Sequence, residues 1–438
     1  MSEEGGVVSR AVLFLVMFAL FGALLSGCGS EDPEFSTPKS SPGVTEGEIL
    51  LGSSLALTGH ASYLGVQTYR GAMCYIKQVN EAGGVHGRKI RVIAYDDSYD
   101  PPKCMANTQR LVVEDQVFAL FCYVGTPTTV KIVSALSEAE IPLVGMFTGA
   151  NALRHPFNPW IINVRASYYQ ETEAAVRHLV QDLGVKKIAV FYQYDAYGFD
   201  GLTGTELALQ MFGLEPVARG SYVRGSLNVE EAFERIEASG AQAVVMIGTY
   251  DPCARFIQLA AAADYHPVFY TVSFVGADEL ARRLGSVDKE VVIMTQVAPP
   301  PEGDAQTQEL LGSATEYVDL LAKYYPEDKP NFVGLEGYIN ARVLVEGLRR
   351  AGPDLTRRGF VRAIESLENY RIGPGVSVSF SETDHQGMDR VYFTWLQNGR
   401  FRLLEDWGQV KRAWMAGQSG GAEPAGAAPG PAPGEASP

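Results

Sequence analysis

Between residues 48 and 407, short apolar runs alternate with stretches in which apolar residues recur every three to four positions. The runs predict buried strands, and the stretches predict amphipathic helices. Residues 49–57 (ILLGSSLAL) predict a strand, and residues 69–79 a helix with Ala72, Ile76 and Val79 on one face. Gly83 and Gly84 stop that helix, because glycine accepts the left-handed conformation of a C-cap. A strand over 89–96, a helix over 105–114, a strand over 117–124, a helix over 128–138 and a strand over 141–147 follow. That βαβαβαβ order predicts a doubly wound parallel sheet.

The pattern then restarts. Helices over 171–183, 202–212, 229–238 and 252–263 alternate with strands over 187–193, 218–223, 243–248 and 267–274, and a strand over 290–297 closes the run. Two α/β lobes of similar design are expected. Residues 331–351 and 356–367 read as amphipathic helices, and residues 376–405 alternate with period two around Asn398-Gly399, which marks a hairpin. The structured part, about 360 residues, has room for two lobes.

Both ends of the chain differ in composition from its middle. Residues 7–28 hold a fifteen-residue apolar run behind Arg10 that ends in Leu25-Ser26-Gly27-Cys28. A basic flank, an apolar core and small residues before the cut describe a secretory signal peptide. The run is short of the roughly 20 residues a membrane span needs. A cysteine directly after the small pair resembles the bacterial lipobox, which implies removal of residues 1–27 and a lipid on Cys28. Residues 28–46, rich in Ser, Pro, Gly and acids, are expected to be a disordered tether. The tail over 411–438, rich in Gly, Ala and Pro, is expected to be unfolded as well. A formal net charge of −15 argues against nucleic acid or an anionic membrane surface as partner.

Four cysteines remain besides Cys28: Cys74, Cys104, Cys122 and Cys253. None forms a Cys-x-x-Cys pair and no two histidines stand at metal-ligand spacing, so neither a metal nor a cofactor is expected. Outside the cytosol a disulfide is permitted. Cys104 opens a helix after one strand and Cys122 ends the next, which makes Cys104–Cys122 the best single pairing among three full pairings. Cys74 and Cys253 fall on apolar helical faces and read as buried thiols.

Ligands in open α/β sheets bind outside the carboxyl ends of the strands, so two such lobes place a site in the cleft between them. The loops after the strands supply the candidates. Thr126 reads as an N-cap with Pro127 at the first helical position. Free N–H groups there can hold a carboxylate, although a plain cap explains the same residues. Thr148 and Gly149 follow the next strand, and Tyr197, Tyr250, Ser273 and Phe274 end strands of the second run. With Tyr63, Tyr123 and Phe147, they suggest aromatic walls around a few polar groups. Gly198, Gly201 and Gly204 match neither nucleotide fingerprint and predict close helix-to-sheet packing. Asp96-Asp97 reads either as a carboxylate pair or as a strand-end turn and cap.

On these residues the chain resembles the type I periplasmic binding proteins, and among them the branched-chain amino-acid-binding proteins that feed ABC importers. The strongest stretch is Leu57-Thr58-Gly59, Gly65, Gly71-Ala72, then Asn80-Glu81-Ala82-Gly83-Gly84-Val85-His86-Gly87-Arg88 and Asp96-Asp97. Gly125-Thr126-Pro127-Thr128, Phe147-Thr148-Gly149-Ala150 with Leu153-Arg154, Tyr197-Gly198 and Glu336-Gly337-Tyr338 carry it over residues 46–410. The resemblance implies two doubly wound α/β parallel-sheet lobes joined by three crossovers, near Arg165-Ala166, Thr295-Gln296 and Ile372-Gly373. Lobe 1 then takes residues 47–165 and 296–372, and lobe 2 takes residues 166–295 and 373–410.

The resemblance also implies roles. Thr126 matches the hydroxyl that, with its backbone N–H, binds the ligand α-carboxylate. Residues 147–149 match the stretch that contacts carboxylate and ammonium, and Tyr197 and Tyr250 match tyrosines that close over the ligand. One position departs from the pattern: where amino-acid binders place a glutamate for the ammonium, this chain has Ser273. A desolvated ammonium without a carboxylate partner is costly. Leucine, isoleucine and valine are therefore expected to bind poorly unless another acidic group substitutes.

The function expected is that of a lipid-anchored, monomeric solute-binding protein at the periplasm or cell surface. It captures a small metabolite, an amino acid or related small acid, and delivers it to the permease and ATPase subunits of an ABC importer. A ligand-sensing regulatory lipoprotein of the same fold is the alternative. An enzyme is not expected, because the chain has no Gly-x-Ser-x-Gly elbow, no His-Glu-x-x-His and no P-loop lysine.

Overall fold

The computed structural model describes residues 41–285, 290–301, 312–373 and 376–419. The leader, Cys28, the tether as far as residue 40 and the tail from residue 420 lie outside the described residues.

The chain opens with β1 (Glu48–Leu55), α1 (Ser62–Glu81), β2 (Lys89–Asp96), α2 (Pro101–Val113) and β3 (Ala119–Phe121). Next come α3 (Thr126–Lys131), α4 (Val133–Glu138), β4 (Leu143–Val144) and β5 (Ile161–Ile162). These strands make a parallel sheet in the order β2-β1-β3-β4-β5. A second run gives α5 (Tyr168–Gln181), β6 (Ile188–Gln193), α6 (Ala196–Gln210), β7 (Arg219–Tyr222) and α7 (Glu230–Ala238). It continues through β8 (Ala243–Ile247), α8 (Tyr250–Ala262), β9 (Val268–Thr271), α9 (Ala277–Leu284) and β10 (Val291–Gln296).

The chain then returns to the first sheet, where α10 (Gly312–Tyr324) and α11 (Phe332–Ala351) pack against α1, and α12 (Arg357–Glu365) packs on α11. β11 (Tyr370–Gly373) and β12 (Val376–Val378) pair with each other, and β13 (Tyr392–Gln397), β14 (Arg400–Leu403) and α13 (Trp407–Ser419) end the described chain. The second sheet runs β14-β13-β10-β9-β8-β6-β7, parallel apart from β13, which is antiparallel to β10 and β14.

The expected fold class is therefore present: two doubly wound sheets with three passages of the chain between them. β8, β9 and β10 are buried at every position, as parallel strands covered on both faces must be. Asn398 and Gly399 take φ of 51° and 73°, the mirror-image turn that the twist of a two-residue hairpin favours. Part of the glycine pattern behind the resemblance is a packing device. A Cβ at Gly71 would lie 1.8 Å from the Gly334 carbonyl oxygen, and one at Gly337 would lie 2.1 Å from that of Thr68. Only glycine lets α1 and α11 approach this closely. Gly198, Gly201 and Gly204 likewise face Gln193, Ile247 and Thr172 at distances that exclude a side chain.

The structure corrects several expectations. The stretch around Ile372-Gly373 is a hairpin strand rather than a crossover; Phe380 and Met388 still belong to the first core, and the chain reaches the second sheet only at β13. Residues 411–419 are helical, not part of an unfolded tail, because Val410 and Trp414 of α13 are buried and Trp407 stacks on His178 at 4.3 Å. The end of the tether is ordered too: Val44 is buried and bridges to Ile49. Helix α1 begins seven residues earlier than its apolar face predicts. Gly65 reads as a gap in that pattern, yet a Cβ there would meet the Ala56 carbonyl oxygen at 1.9 Å, so its first turn is packed by an absent side chain.

The Cys104–Cys122 bridge is not formed, and all four described cysteines are buried free thiols. Cys104 sits on α2 beside Asp97, Ser54 and Thr108, whereas Cys122 faces Asn340 and Glu336 of α11. Cys122 takes a positive φ of 53° just past the end of β3, so strand alternation breaks there and Phe121 and Cys122 belong to the same core. Tyr123 turns toward α2 and Cys122 turns away from it, so the two thiols belong to different cores.

Candidate functional site

The Asp96-Asp97 pair is a structural clasp at the carboxyl end of β2. Asp96 accepts the N–H groups of Leu57 at 2.8 Å, Thr58 at 3.1 Å and Ser98 at 2.9 Å. Burial pushes its carboxyl up, but these bonds and the Thr58 hydroxyl outweigh it and hold the group at about 2. Asp97 accepts the Ser54 hydroxyl at 2.8 Å and the Tyr99 N–H at 2.9 Å, which sets Tyr99 at the mouth of the sheet.

The first sheet's wall follows from two glycines. Gly125 adopts φ 99°, and a Cβ there would come within 2.0 Å of the Tyr99 ring. Gly125, not Thr126, is the N-cap of α3; Thr126 begins the helix. Its hydroxyl meets that of Thr148 at 2.7 Å, with both residues fully buried. Gly149 lets Tyr168 pack directly on the backbone, since a Cβ would lie 2.7 Å from that ring. The Tyr168 hydroxyl is buried with no hydrogen-bond partner.

The second sheet supplies the facing wall. Asp195 caps α6 by accepting the Tyr197 N–H at 3.0 Å, and the Tyr197 hydroxyl donates to the Gly248 carbonyl at 3.0 Å. Phe274 rides on the short turn Ser273–Val275 and fills the centre. Its ring lies 4.7 Å from Tyr197, 5.5 Å from Phe147, 6.0 Å from Tyr99 and 6.5 Å from Tyr168, centre to centre. These separations are those of interacting aromatic pairs. At the rim, Tyr63 from α1 meets Tyr250 from α8 edge-on at 6.2 Å. Burial pushes the Tyr250 hydroxyl up to about 12.

One expected site residue stands elsewhere, and another is already engaged within the protein. Tyr123 faces α2 and shares a hydrogen bond of 2.9 Å with the Thr108 hydroxyl, so it belongs to the core and not to the cleft. Ser273 is engaged in a buried charge network. Arg165, 1% exposed, donates to Glu171 at 2.8 Å and to Glu336 at 3.3 Å. The Ser273 hydroxyl bonds both Arg165 and Glu171, its N–H donates to Glu171 at 2.8 Å, and the Thr295 hydroxyl donates to Glu171 at 2.5 Å. One guanidinium thus serves two carboxylates. Burial pushes the Glu336 carboxyl up to about 7, with Arg165 pulling it down and Glu171 pushing it further up.

Sequence reasoning missed Tyr99, Tyr168 and this network. Arg165 carried a signal: a charge behind the apolar run Trp160-Ile161-Ile162 needs buried partners. Tyr99 carried none, because its place depends on a positive φ of 61° after the Asp97 turn. A cavity of about 720 Å³ lies away from this constellation, among Asp264, His266, Trp395 and Ala413 on the second sheet.

A model of the periplasmic binding protein family matches residues 48–400. An amino acid binding protein of Pseudomonas aeruginosa is 25% identical over 365 residues, which cover 82% of this chain and 92% of that protein. The structure of a possible leucine/isoleucine/valine-binding protein from Rhodopirellula baltica superposes with a TM-score of 0.77 at 32% identity, covering 85% of this chain and 99% of that one. A fatty acid ABC transporter substrate-binding protein from Thermomonospora curvata shares the fold, with a TM-score of 0.76 at 21% identity over 84% of this chain and 93% of that one. Among the described residues, no helix is long and apolar enough to cross a membrane. With the family model spanning both sheets, the chain belongs to the periplasmic binding protein family, whose members are extracytoplasmic ligand-binding proteins rather than enzymes.

Proposed function

We propose that this protein is the solute-binding component of an ABC importer, held at a membrane by a lipid on Cys28. It captures a small carboxylate-bearing metabolite, an amino acid or a close relative, between lobes built on the two sheets. The observation that carries this reading is the pair of buried hydroxyls, Thr126 and Thr148 at 2.7 Å, set in one wall opposite Tyr197 and Phe274 in the other. The names of the relatives agree on one chemical feature, since amino acids and fatty acids both present a carboxylate. Each sheet supplies half of the contacts, so occupancy favours closure about the crossovers. A permease then reads the closed form.

Calorimetry on ligand-stripped protein, with the metabolite released on denaturation and identified by mass spectrometry, tests the site. Thr126→Ala removes a hydroxyl to a charged acceptor and weakens binding by about 1.5–3 kcal/mol. Tyr250→Ala weakens it through lost aromatic contact. Unchanged affinity in both variants would sink the proposed site. Metabolic labelling with a palmitate analogue tests the anchor, and Cys28→Ala abolishes the label.

A further inference from the structure

Beside the Gly125–Tyr99 contact the two walls hold polar atoms that make no hydrogen bond of good geometry within the protein. The Tyr99 hydroxyl, His60 Nε2 and the Thr249 hydroxyl are each buried with no hydrogen-bond partner. Tyr99 is 1% exposed and Thr249 is fully buried. They come from both walls: His60 and Tyr99 from loops after β1 and β2, Thr249 from the residue before α8. The His60 and Tyr99 rings are 5.5 Å apart, and the Arg224 guanidinium of the second wall lies 5.8 Å from the Tyr99 ring centre.

Neighbouring groups are already committed. Gln193, which faces the Tyr99 hydroxyl, accepts the Tyr222 hydroxyl at 3.1 Å and donates to Asp195 at 2.7 Å. Tyr222 in turn accepts the Thr249 N–H at 3.0 Å, which ties Thr249 to the same cluster. Thr249 also stands at an N-cap position without capping its helix, so its hydroxyl is not used there. His60 is held below its ordinary value, first by burial and then by Arg224, which leaves a neutral ring near pH 7.

Buried polar groups in folded proteins have partners, and one left without is destabilising. A branched aliphatic group pressed against this cluster leaves all three atoms unsatisfied. An end group with acyl oxygens offers an acceptor to the two hydroxyls, to the imidazole and to Arg224, which also donates to Asp195 at 3.1 Å. Resting on the cleft reading above, we propose that the subsite formed by His60, Tyr99, Arg224 and Thr249 receives a second oxygen-bearing group of the ligand, a carboxamide or carboxylate, besides the carboxylate assigned to the Thr126 hydroxyl.

The test is calorimetry on the ligand-stripped full chain with L-glutamine, L-glutamate and L-leucine. Glutamine or glutamate binds at least tenfold more tightly than leucine, and which of the two is preferred separates carboxamide from carboxylate. Tyr99→Phe keeps the ring and removes at least fivefold of that preference. Thr249→Val, nearly isosteric, does the same from the opposite wall. Leucine binding as tightly as the other two, or a preference untouched by both variants, overturns the subsite. If none of the three amino acids binds, the metabolite released on denaturation decides. A second oxygen-bearing end group supports the subsite, and a purely aliphatic one overturns it. Loss of binding in Thr126→Ala beside unaffected Tyr99→Phe and Thr249→Val rejects the subsite alone. Unaffected binding in Thr126→Ala rejects the cleft reading itself.

Discussion

The Asp200 carboxylate accepts the Asn151 N–H through both oxygens, at 2.9 and 3.1 Å, and so fastens α6 of the second sheet to the turn after β4 of the first. Burial pushes this carboxyl up to about 6, against the N–H groups of Asn151 and Ala152 and the charge of Arg154, which pull it down. The unfolded chain titrates the same group near about 3.9.

A pH dependence follows by linkage. The folded chain holds the Asp200 proton more tightly than the unfolded chain does. The group's contribution to stability is therefore full below about pH 4 and is lost as pH rises through about 6. Asp200→Asn keeps one acceptor oxygen and does not titrate. The melting temperature of the wild type relative to Asp200→Asn falls between pH 4 and pH 6.5. A difference that stays flat over this range contradicts the buried contact.

Arg165 neutralises two buried carboxylates, so its removal leaves Glu171 and Glu336 uncompensated. Arg165→Met costs about 3–5 kcal/mol in urea denaturation at pH 7. Glu336→Gln costs less, because the wild-type carboxyl at about 7 already takes up a proton readily. Its raised value means that its contribution is full below the unfolded value of about 4.3 and is lost as pH rises through about 7, and the Gln variant loses this slope. Arg165→Met melting like wild type would show that the network holds nothing together.

The contact of α1 with α11 gives a contrast between glycines. Gly337→Ala drives a methyl to 2.1 Å from the Thr68 carbonyl, and backbone cannot swing aside as a side chain can. Overpacking of this kind costs about 1–3 kcal/mol. At Gly47 a methyl would meet no heavy atom within 4 Å, so Gly47→Ala stays within about 0.5 kcal/mol of wild type. Equal stabilities for the two variants would mean that the helices do not pack at this distance.

Cys104 and Cys122 remain thiols in the native protein. Burial pushes both thiols up, which keeps them protonated and unreactive. Alkylation under native, non-reducing conditions leaves Cys74, Cys104, Cys122 and Cys253 unmodified, and denaturation without reductant exposes all four. A Cys104–Cys122 linked peptide in the digest overturns this.

The alternation of strands and helices, the Asn398-Gly399 hairpin and the close-packing role of Gly198, Gly201 and Gly204 were legible in the sequence. Each is written in local periodicity or in the conformation of one or two residues. The pairing of Thr126 with Thr148 was half legible: strand-end placement brought the loops together, but the N-cap assignment missed that Gly125 takes the cap and frees the hydroxyl. The sides to which Cys122 and Tyr123 turn were not legible, because Cys122 takes a positive φ of 53° just past β3 and so breaks the alternation a strand pattern implies. Nor was Ser273 as a partner of Arg165 and Glu171. Arg165 and Glu336 stand 171 positions apart, and Ser273 stands 108 from Arg165. Local sequence decides the elements, since backbone preference and hydrophobic period act over a few residues. Docking of the two sheets alone decides which charges are buried together, because a buried ion pair exists only once both partners have left water.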